Sequence, residues 1–351
     1  MLVDESEIML ISSPYQIHFL TGYSNFSKEE REAFLVLTNK NKYILTDARY
    51  SEAVAKLEKY DLLEISAKQS LYNHLKIIIK SENIQKILFE GDDLKFSEYK
   101  KLENLGVSLE MVELRHIRAV KDSYQISKIK NACMIGDQVL DQIIKKIRSG
   151  ISERNLADEI EKLMHKFAAR PSFDSIVAFG SNASIPHHQA GAKKLKGGGE
   201  FVLLDFGVKL DHYCSDMTRT IFLGKANSKQ KKIYKTVYEA QRRAADFLDK
   251  KIKSGDQVTG QQVDQIAREF IKSQGYDLIP HSLGHGIGLQ VHEYPSLSPK
   301  SDDVLLEGMV FSIEPGIYIP GFGGVRIEDL YVIEKNGLRQ LTQSDKQLIE
   351  L

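Results

Sequence analysis

The sequence predicts two domains, an α/β layer domain over residues 1–120 followed by a second domain over 121–351 in which helices alternate with Gly-rich β-hairpins. Three observations carry this expectation. The chain of 351 residues is long for a single hydrophobic core. Up to about Val120, short apolar β-type runs interleave with helical patterns, which is the signature of strands and helices in layers. Beyond Lys121 the pattern changes to long amphipathic helices and to two stretches that read strand, turn, strand.

Within the first domain the apolar runs AFLVLT, KYILT, DLLEI, KILFE and SLEMVEL are expected strands, and Arg49 to Leu57, Leu71 to Ile79 and Phe96 to Leu105 expected helices. No cluster of His, Cys and acidic residues falls here, so the domain reads as a scaffold or gate. In the second domain, helices are expected at Tyr124 to Ile147, at Ser152 to Phe167 with Ser152 and Glu153 in the starting turn, at Lys229 to Lys253 and at Gly260 to Gln274.

Composition excludes several function classes. Lys plus Arg equals Asp plus Glu at 48 each, so a nucleic-acid or membrane-surface partner is not expected. The acidic stretch MLVDESEIML does not read as a signal peptide, and no apolar stretch reaches the length of a membrane span. The two cysteines, Cys133 and Cys214, exclude a disulfide framework and suit a reducing cytoplasm; Cys214 reads as a buried thiol rather than a metal ligand.

The chemistry concentrates in the hairpins. Phe201 to Thr220 carries Asp205 after five residues of nearly continuous apolar strand, where an unpaired acid is costly. If Asp205 faces Asp216, the turn is centred on Leu210 and Asp211, and directly opposed residues would bring the carboxylates together on one face. Like charges that close repel, raise one pKa and invite a cation. Asp211 and His212 read as turn residues. The second hairpin, MVFSIEPGIYIPGFGGVRIEDLYVI, again holds two acids, Glu314 and Glu328, which oppose each other if the turn is centred on Gly321. Between the hairpins, HSLGHGIGLQVHEYP supplies His281, His285 and His292; its glycines argue against a helix and for close backbone approach and unusual φ/ψ around His285. Several carboxylates with one or two imidazoles suit a pair of divalent ions, Mn²⁺ foremost, with Co²⁺, Fe²⁺ or Zn²⁺ as alternatives. Such a pair holding a water between them is equipment for hydrolysis.

The segments DFGVKLDHYCSDMTRT, HSLGHGIGLQVHE, FSIEPGIY and GVRIED, together with FLTGYSNF and YILTDARY, resemble the metallopeptidases of the pita-bread fold, in the branch of prolidase and aminopeptidase P. The resemblance implies an α/β creatinase-like N-terminal domain and an α+β pita-bread (creatinase/aminopeptidase-like) catalytic domain. It implies five metal ligands, with Asp216 and Glu328 bridging two ions, Asp205 completing one and His285 with Glu314 the other. It further implies Glu314 as general base for a metal-bridged hydroxide, His292 as stabiliser of the carbonyl or tetrahedral intermediate, and His187 as a substrate contact. Arg326, two residues before Glu328 and on the same strand face, looks like a cation that holds carboxylates in place and borders the substrate, while the resemblance leaves the roles of His188 and His281 open. The implied substrate is a peptide with proline in second position, cleaved as a dipeptide or from a longer chain, by a homodimer. A methionyl-aminopeptidase-like enzyme and a metal-free binding module on the same fold are the alternatives; the first generally lacks a domain like residues 1–120, and the second would have lost ligands that are all present here. Nucleotide binding at GHGIG is disfavoured because no Walker lysine-hydroxyl pair accompanies it.

Overall fold

The computed structural model describes residues 3–277 and 279–351. The chain divides into two compact units, one ending at Arg118 and the other spanning Ala119–Leu351.

The first unit is a mixed sheet with helices on both faces. Its elements are β1 (Glu7–Ile11), α1 (Pro14–Thr21), β2 (Ala33–Leu37), β3 (Lys42–Asp47), α2 (Ser51–Val54), β4 (Asp61–Ile65), α3 (Leu71–Glu82), β5 (Lys86–Glu90), α4 (Phe96–Leu102) and β6 (Ser108–Val112). The six strands lie in the order β4-β3-β2-β1-β5-β6, antiparallel at β1/β2 and β2/β3 and parallel elsewhere. Period-two alternation sorts the side chains. Ile8 and Leu10 of β1 join Leu75 and Ile78 of α3 in one core, while Met9 and Ile11 join Ile17 of α1 and Val54 of α2 in another. β1 lies in the middle of the sheet, yet its EIMLI sequence is not among the expected strands because the acidic lead-in masks a four-residue apolar run, Ile8 to Ile11. The helix expected from Arg49 to Leu57 shortens to four residues.

The second unit begins with α5 (Ser123–Ile143) and α6 (Glu153–Lys166), then β7 (Arg170–Pro171), β8 (Ile176–Phe179), β9 (Glu200–Phe206), β10 (Val208–Leu210), β11 (Tyr213–Cys214) and β12 (Met217–Leu223). There follow α7 (Ser228–Ser254), α8 (Gly260–Ser273), β13 (Gly284–Gly286), β14 (Glu293–Leu297), β15 (Val310–Ile313), β16 (Gly316–Ile319), β17 (Gly323–Arg326), β18 (Asp329–Glu334) and β19 (Gly337–Gln340). Each helix starts at a capping side chain, Asp122, Ser152, Asn227 and Thr259 in turn, which accepts the backbone N–H of Gln125, Asn155, Gln230 and Gln262 respectively. The expected helices are all present; the last turn of the first tightens into a 3₁₀ segment, Ile144–Lys146. α5 and α6 bury Val139, Leu140, Leu156 and Ile160 against Val202, Leu204 and Phe206 of β9. α7 and α8 bury Val237, Ala240, Val263 and Ala267 with Phe311 and Ile313 of β15. The helices thus back the sheets, whose strand ends carry the acids.

The two hairpins differ in how well their register was legible. In the first, Leu210 pairs with Tyr213 and Asp205 with Thr218, so Asp205 does not face Asp216. The tip is Asp211–His212, with φ of 48° and 73°, a two-residue turn whose two left-handed positions match strand twist. Centring the turn one position earlier would have placed Leu210 in a left-handed conformation, which a branched side chain resists. Asp216 lies in the break between β11 and β12. In the second hairpin Gly316 pairs with Arg326 and Ile313 with Asp329, one register about Gly321, whose φ is 74°. Glu314 and Glu328 therefore occupy matching positions in the gap between the two ladders, as expected from the turn.

Candidate active site

Five acidic and imidazole side chains converge where the hairpins meet. Asp205 ends the apolar part of β9, and its Oδ2 accepts from Arg326 Nη2 at 2.6 Å. Glu328 follows β17, and its Oε2 accepts from Thr218 Oγ1 at 2.7 Å. The Glu328 N–H also donates to the Thr218 carbonyl at 3.1 Å, which ties the second hairpin to β12. His285, on β13, places Nε2 3.3 Å from Glu314 Oε1 and 3.7 Å from Asp216 Oδ2. Glu314 accepts from Ser312 Oγ at 3.1 Å, and its N–H donates to the Leu283 carbonyl at 2.8 Å.

The glycines around His285 give the expected close approach but not the expected unusual backbone angles. A Cβ on Gly284 would lie 1.9 Å from the Ser312 carbonyl oxygen, and one on Gly286 2.2 Å from that of Tyr294. Only glycine lets β13 run this close to its neighbours, and that closeness brings the imidazole to the acids. The requirement is space, not dihedral angle, because neither glycine has a positive φ.

Arg326 is buried and spends its donors on four groups: Asp205, Thr218 Oγ1 at 3.0 Å, the Tyr318 hydroxyl at 2.7 Å and the Pro186 carbonyl at 3.4 Å. Tyr318 in turn meets His281 Nε2 at 2.9 Å. Tyr318 and Thr218 escaped the sequence reading. The signal for both was register: Thr218 faces Asp205 across β9 and β12, and Tyr318 stands diagonal to Arg326 across the second hairpin.

His292 packs edge-on to His285 with ring centroids 4.3 Å apart and reaches solvent at its outer edge. His187 is exposed, on the loop after the 3₁₀ turn Gly180–Ser184, and makes none of the contacts that unite the buried groups. His188, beside it, turns the other way, with Nε2 2.9 Å from Glu153 Oε2. Cys214 is buried with its thiol pushed up to about 12 by burial, in keeping with a structural role.

The electrostatics are out of balance. Burial, then the charge of Asp205, drives the Asp216 carboxyl far above the usual range; burial, then Asp216, does the same to Glu328. Asp205 is also raised by burial, against the pull of Arg326. Glu314 moves the other way, to about 2, because the hydrogen bond and charge of His285 outweigh its burial. The same contact, with Asp216 adding to it, lifts His285 to about 9 despite burial. Four carboxylates thus face one guanidinium and one imidazolium. Three buried oxygens, Asp205 Oδ1, Asp216 Oδ1 and Glu328 Oε1, accept no hydrogen bond. Buried carboxylate oxygens without donors are expensive, and a cation is what would satisfy all three. Ligand atoms of Asp216, His285 and Glu328 lie within 4.8 Å of one another, the spacing of a group that can hold a metal ion. Oxygen-rich donors with one imidazole and no thiolate fit a hard or borderline divalent ion.

Comparisons with known proteins identify the family. Residues 127–335 match Metallopeptidase family M24, and residues 3–120 match the Creatinase/Prolidase N-terminal domain. A Xaa-Pro dipeptidase of Pyrococcus furiosus is 42% identical over 254 residues, covering 72% of this chain and 69% of that protein. The structure of a Xaa-Pro dipeptidase from Bacillus anthracis superposes with a TM-score of 0.90 at 34% identity, covering 98% of this chain and 95% of that one. An X-Pro aminopeptidase from Thermotoga maritima superposes at 0.85 with 29% identity, covering 98% and 97%. With an acid-rich centre short of positive charge held between two hairpins, in a pita-bread unit preceded by a creatinase-type domain, the chain belongs to metallopeptidase family M24.

Proposed function

We propose that this protein hydrolyses the bond between an N-terminal residue and a following proline, with Xaa-Pro dipeptides as its substrates. The observation that carries the catalytic part is the trio of buried carboxylate oxygens without donors. The proline preference rests on the Xaa-Pro dipeptidases among its relatives. An Xaa-Pro bond lacks an N–H and has a restricted backbone, so a dedicated site is chemically reasonable.

In this reading Asp205, Asp216, His285, Glu314 and Glu328 hold two divalent ions, Mn²⁺ being the first choice for such donors. When bound, the ions supply Lewis-acid polarisation of the scissile carbonyl and a water acidic enough to attack at neutral pH. The side chains do the rest. Glu314, ionised at neutral pH, takes the proton of the attacking water and passes it to the departing proline nitrogen. His292, at the open edge beside His285, donates to the oxygen that gains charge as the carbonyl becomes tetrahedral. Arg326 and Thr218 hold Asp205 and Glu328 in fixed orientations, and His187 contacts the substrate from its exposed loop. A reducing cytoplasm, supported by two buried free thiols, and a homodimer, the commonest symmetric assembly, belong to the same proposal. Among the described residues, no helix is long and apolar enough to cross a membrane.

The test combines metal analysis with a peptide panel. Purified protein is expected to carry about two divalent ions per chain and to cleave Xaa-Pro dipeptides; cleavage only of longer Xaa-Pro peptides would move it to the aminopeptidase class, and cleavage of neither would refute the assignment. Glu314→Gln should abolish turnover while the fold persists. His292→Ala should lower kcat by about 100-fold, the roughly 3 kcal/mol lost with one oxyanion donor.

A further inference from the structure

Glu153 is wholly buried at the first position of α6, where the helix N-terminus favours its negative charge. Yet almost nothing it binds belongs to its own helix. Oε1 accepts from the Phe179 N–H at 2.9 Å and from Asn182 Nδ2 at 2.8 Å; Oε2 accepts from His188 Nε2 at 2.9 Å and from the Gly191 N–H at 3.1 Å. These donors bracket one loop. Phe179 ends β8, Asn182 sits in the 3₁₀ turn, and His188 and Gly191 stand on the far side of His187. Asn182 Nδ2 is also 3.3 Å from His188 Nε2, so the donors crowd a single carboxylate. Backbone bonds close the frame: Glu153 N–H to the Lys193 carbonyl at 3.0 Å and Arg154 N–H to that of Gly191 at 2.9 Å.

From the active-site side, Arg326 donates to the Pro186 carbonyl at 3.4 Å. His187 therefore stands between two anchors, Pro186 held by the arginine of the metal centre and His188 held by Glu153. A carboxylate that accepts charge-assisted bonds from both flanks of a loop fixes that loop far more firmly than contacts at the exposed surface. We propose that Glu153 is a positioning residue for catalysis, acting through His188 and Asn182 to hold His187 against the substrate. His188 belongs to this support and not to the reaction centre. The kinetic arm of this inference rests on the Xaa-Pro peptidase reading; the structural arm does not.

Glu153→Gln keeps the shape but puts an NH₂ where two donors already point. It is expected to lower kcat/KM on an Xaa-Pro dipeptide by about 10- to 100-fold, the scale of a misplaced substrate contact. The diagnostic is the double variant: Glu153→Gln/His187→Ala should be no slower than His187→Ala alone, since one residue acts through the other. His188→Gln, which keeps a donor towards Glu153, should retain activity that His188→Ala loses. Hydrogen exchange needs no substrate: in Glu153→Gln, and equally in His188→Ala should the first variant not fold, residues 179–191 should exchange faster while 201–222 stay protected. Losses that multiply in the double variant, or unchanged exchange at 179–191, would overturn the proposal. A wild-type protein inert on Xaa-Pro substrates would refute the functional reading and leave exchange to decide the role of Glu153.

Discussion

At the scale of single residues, the site stores electrostatic cost that a cation would relieve. Asp216 and Glu328 have folded-state pKa values far above their unfolded ones, so folding without metal binds protons more tightly than unfolding does. Their penalty is absent below about pH 4 and grows as pH rises towards the folded values. His285, raised to about 9, contributes stability that is present below its unfolded value, about 6.5, and is lost as pH rises through 9. Both effects have the same sign. In chelator, the thermal midpoint should fall between pH 5 and pH 9, and Asp216→Asn should stabilise the metal-free protein at neutral pH while abolishing turnover. Melting curves of both proteins in chelator at three pH values check this; a destabilised Asp216→Asn protein would contradict it.

At the scale of elements, β13 shows how backbone proximity makes a site. Gly284 pairs with Leu297 on one side, and its Cα faces the Ser312 carbonyl on the other. Gly284→Ala would force β13 away from β15 and carry His285 with it. A loss of about 1–3 kcal/mol in unfolding free energy is expected from overpacking, together with weakened metal binding, and denaturant titration with metal analysis measures both. The residues at the end of the chain run alongside β12, bridging Phe222 to Glu350: the Leu351 N–H donates to the Phe222 carbonyl at 2.9 Å and the Gly224 N–H to that of Leu351 at 2.7 Å. These bonds brace the strand that carries Thr218.

At the scale of the whole molecule, binding energy and folding energy are linked through the metal. Ions that bind only the folded chain should raise its stability by about 2.7 kcal/mol at a hundredfold excess over Kd. Chelation is therefore expected to lower the melting temperature of the wild-type protein, with Mn²⁺ restoring it. The same titration should leave Asp216→Asn nearly unmoved, which separates site binding from general salt effects.

The two-unit plan, the long helices of the second unit with the Ser152 start of one of them, and the residue types of the centre were legible in the sequence, because hydrophobic period and turn chemistry are local properties. The sequence also placed Glu314 opposite Glu328, since Pro320 and Gly321 mark that turn openly. It misjudged the first hairpin by one position, because Asp211 and His212 form a two-residue left-handed tip without the glycine that would announce it. It took the folded chain to bring Thr218 and Tyr318 to Arg326, to set β1 at the centre of its sheet, and to let Glu153 bind both flanks of the His187 loop from a helix start 34 positions upstream. Those contacts join segments far apart in the chain, and no local pattern encodes which distant donor a buried carboxylate will meet.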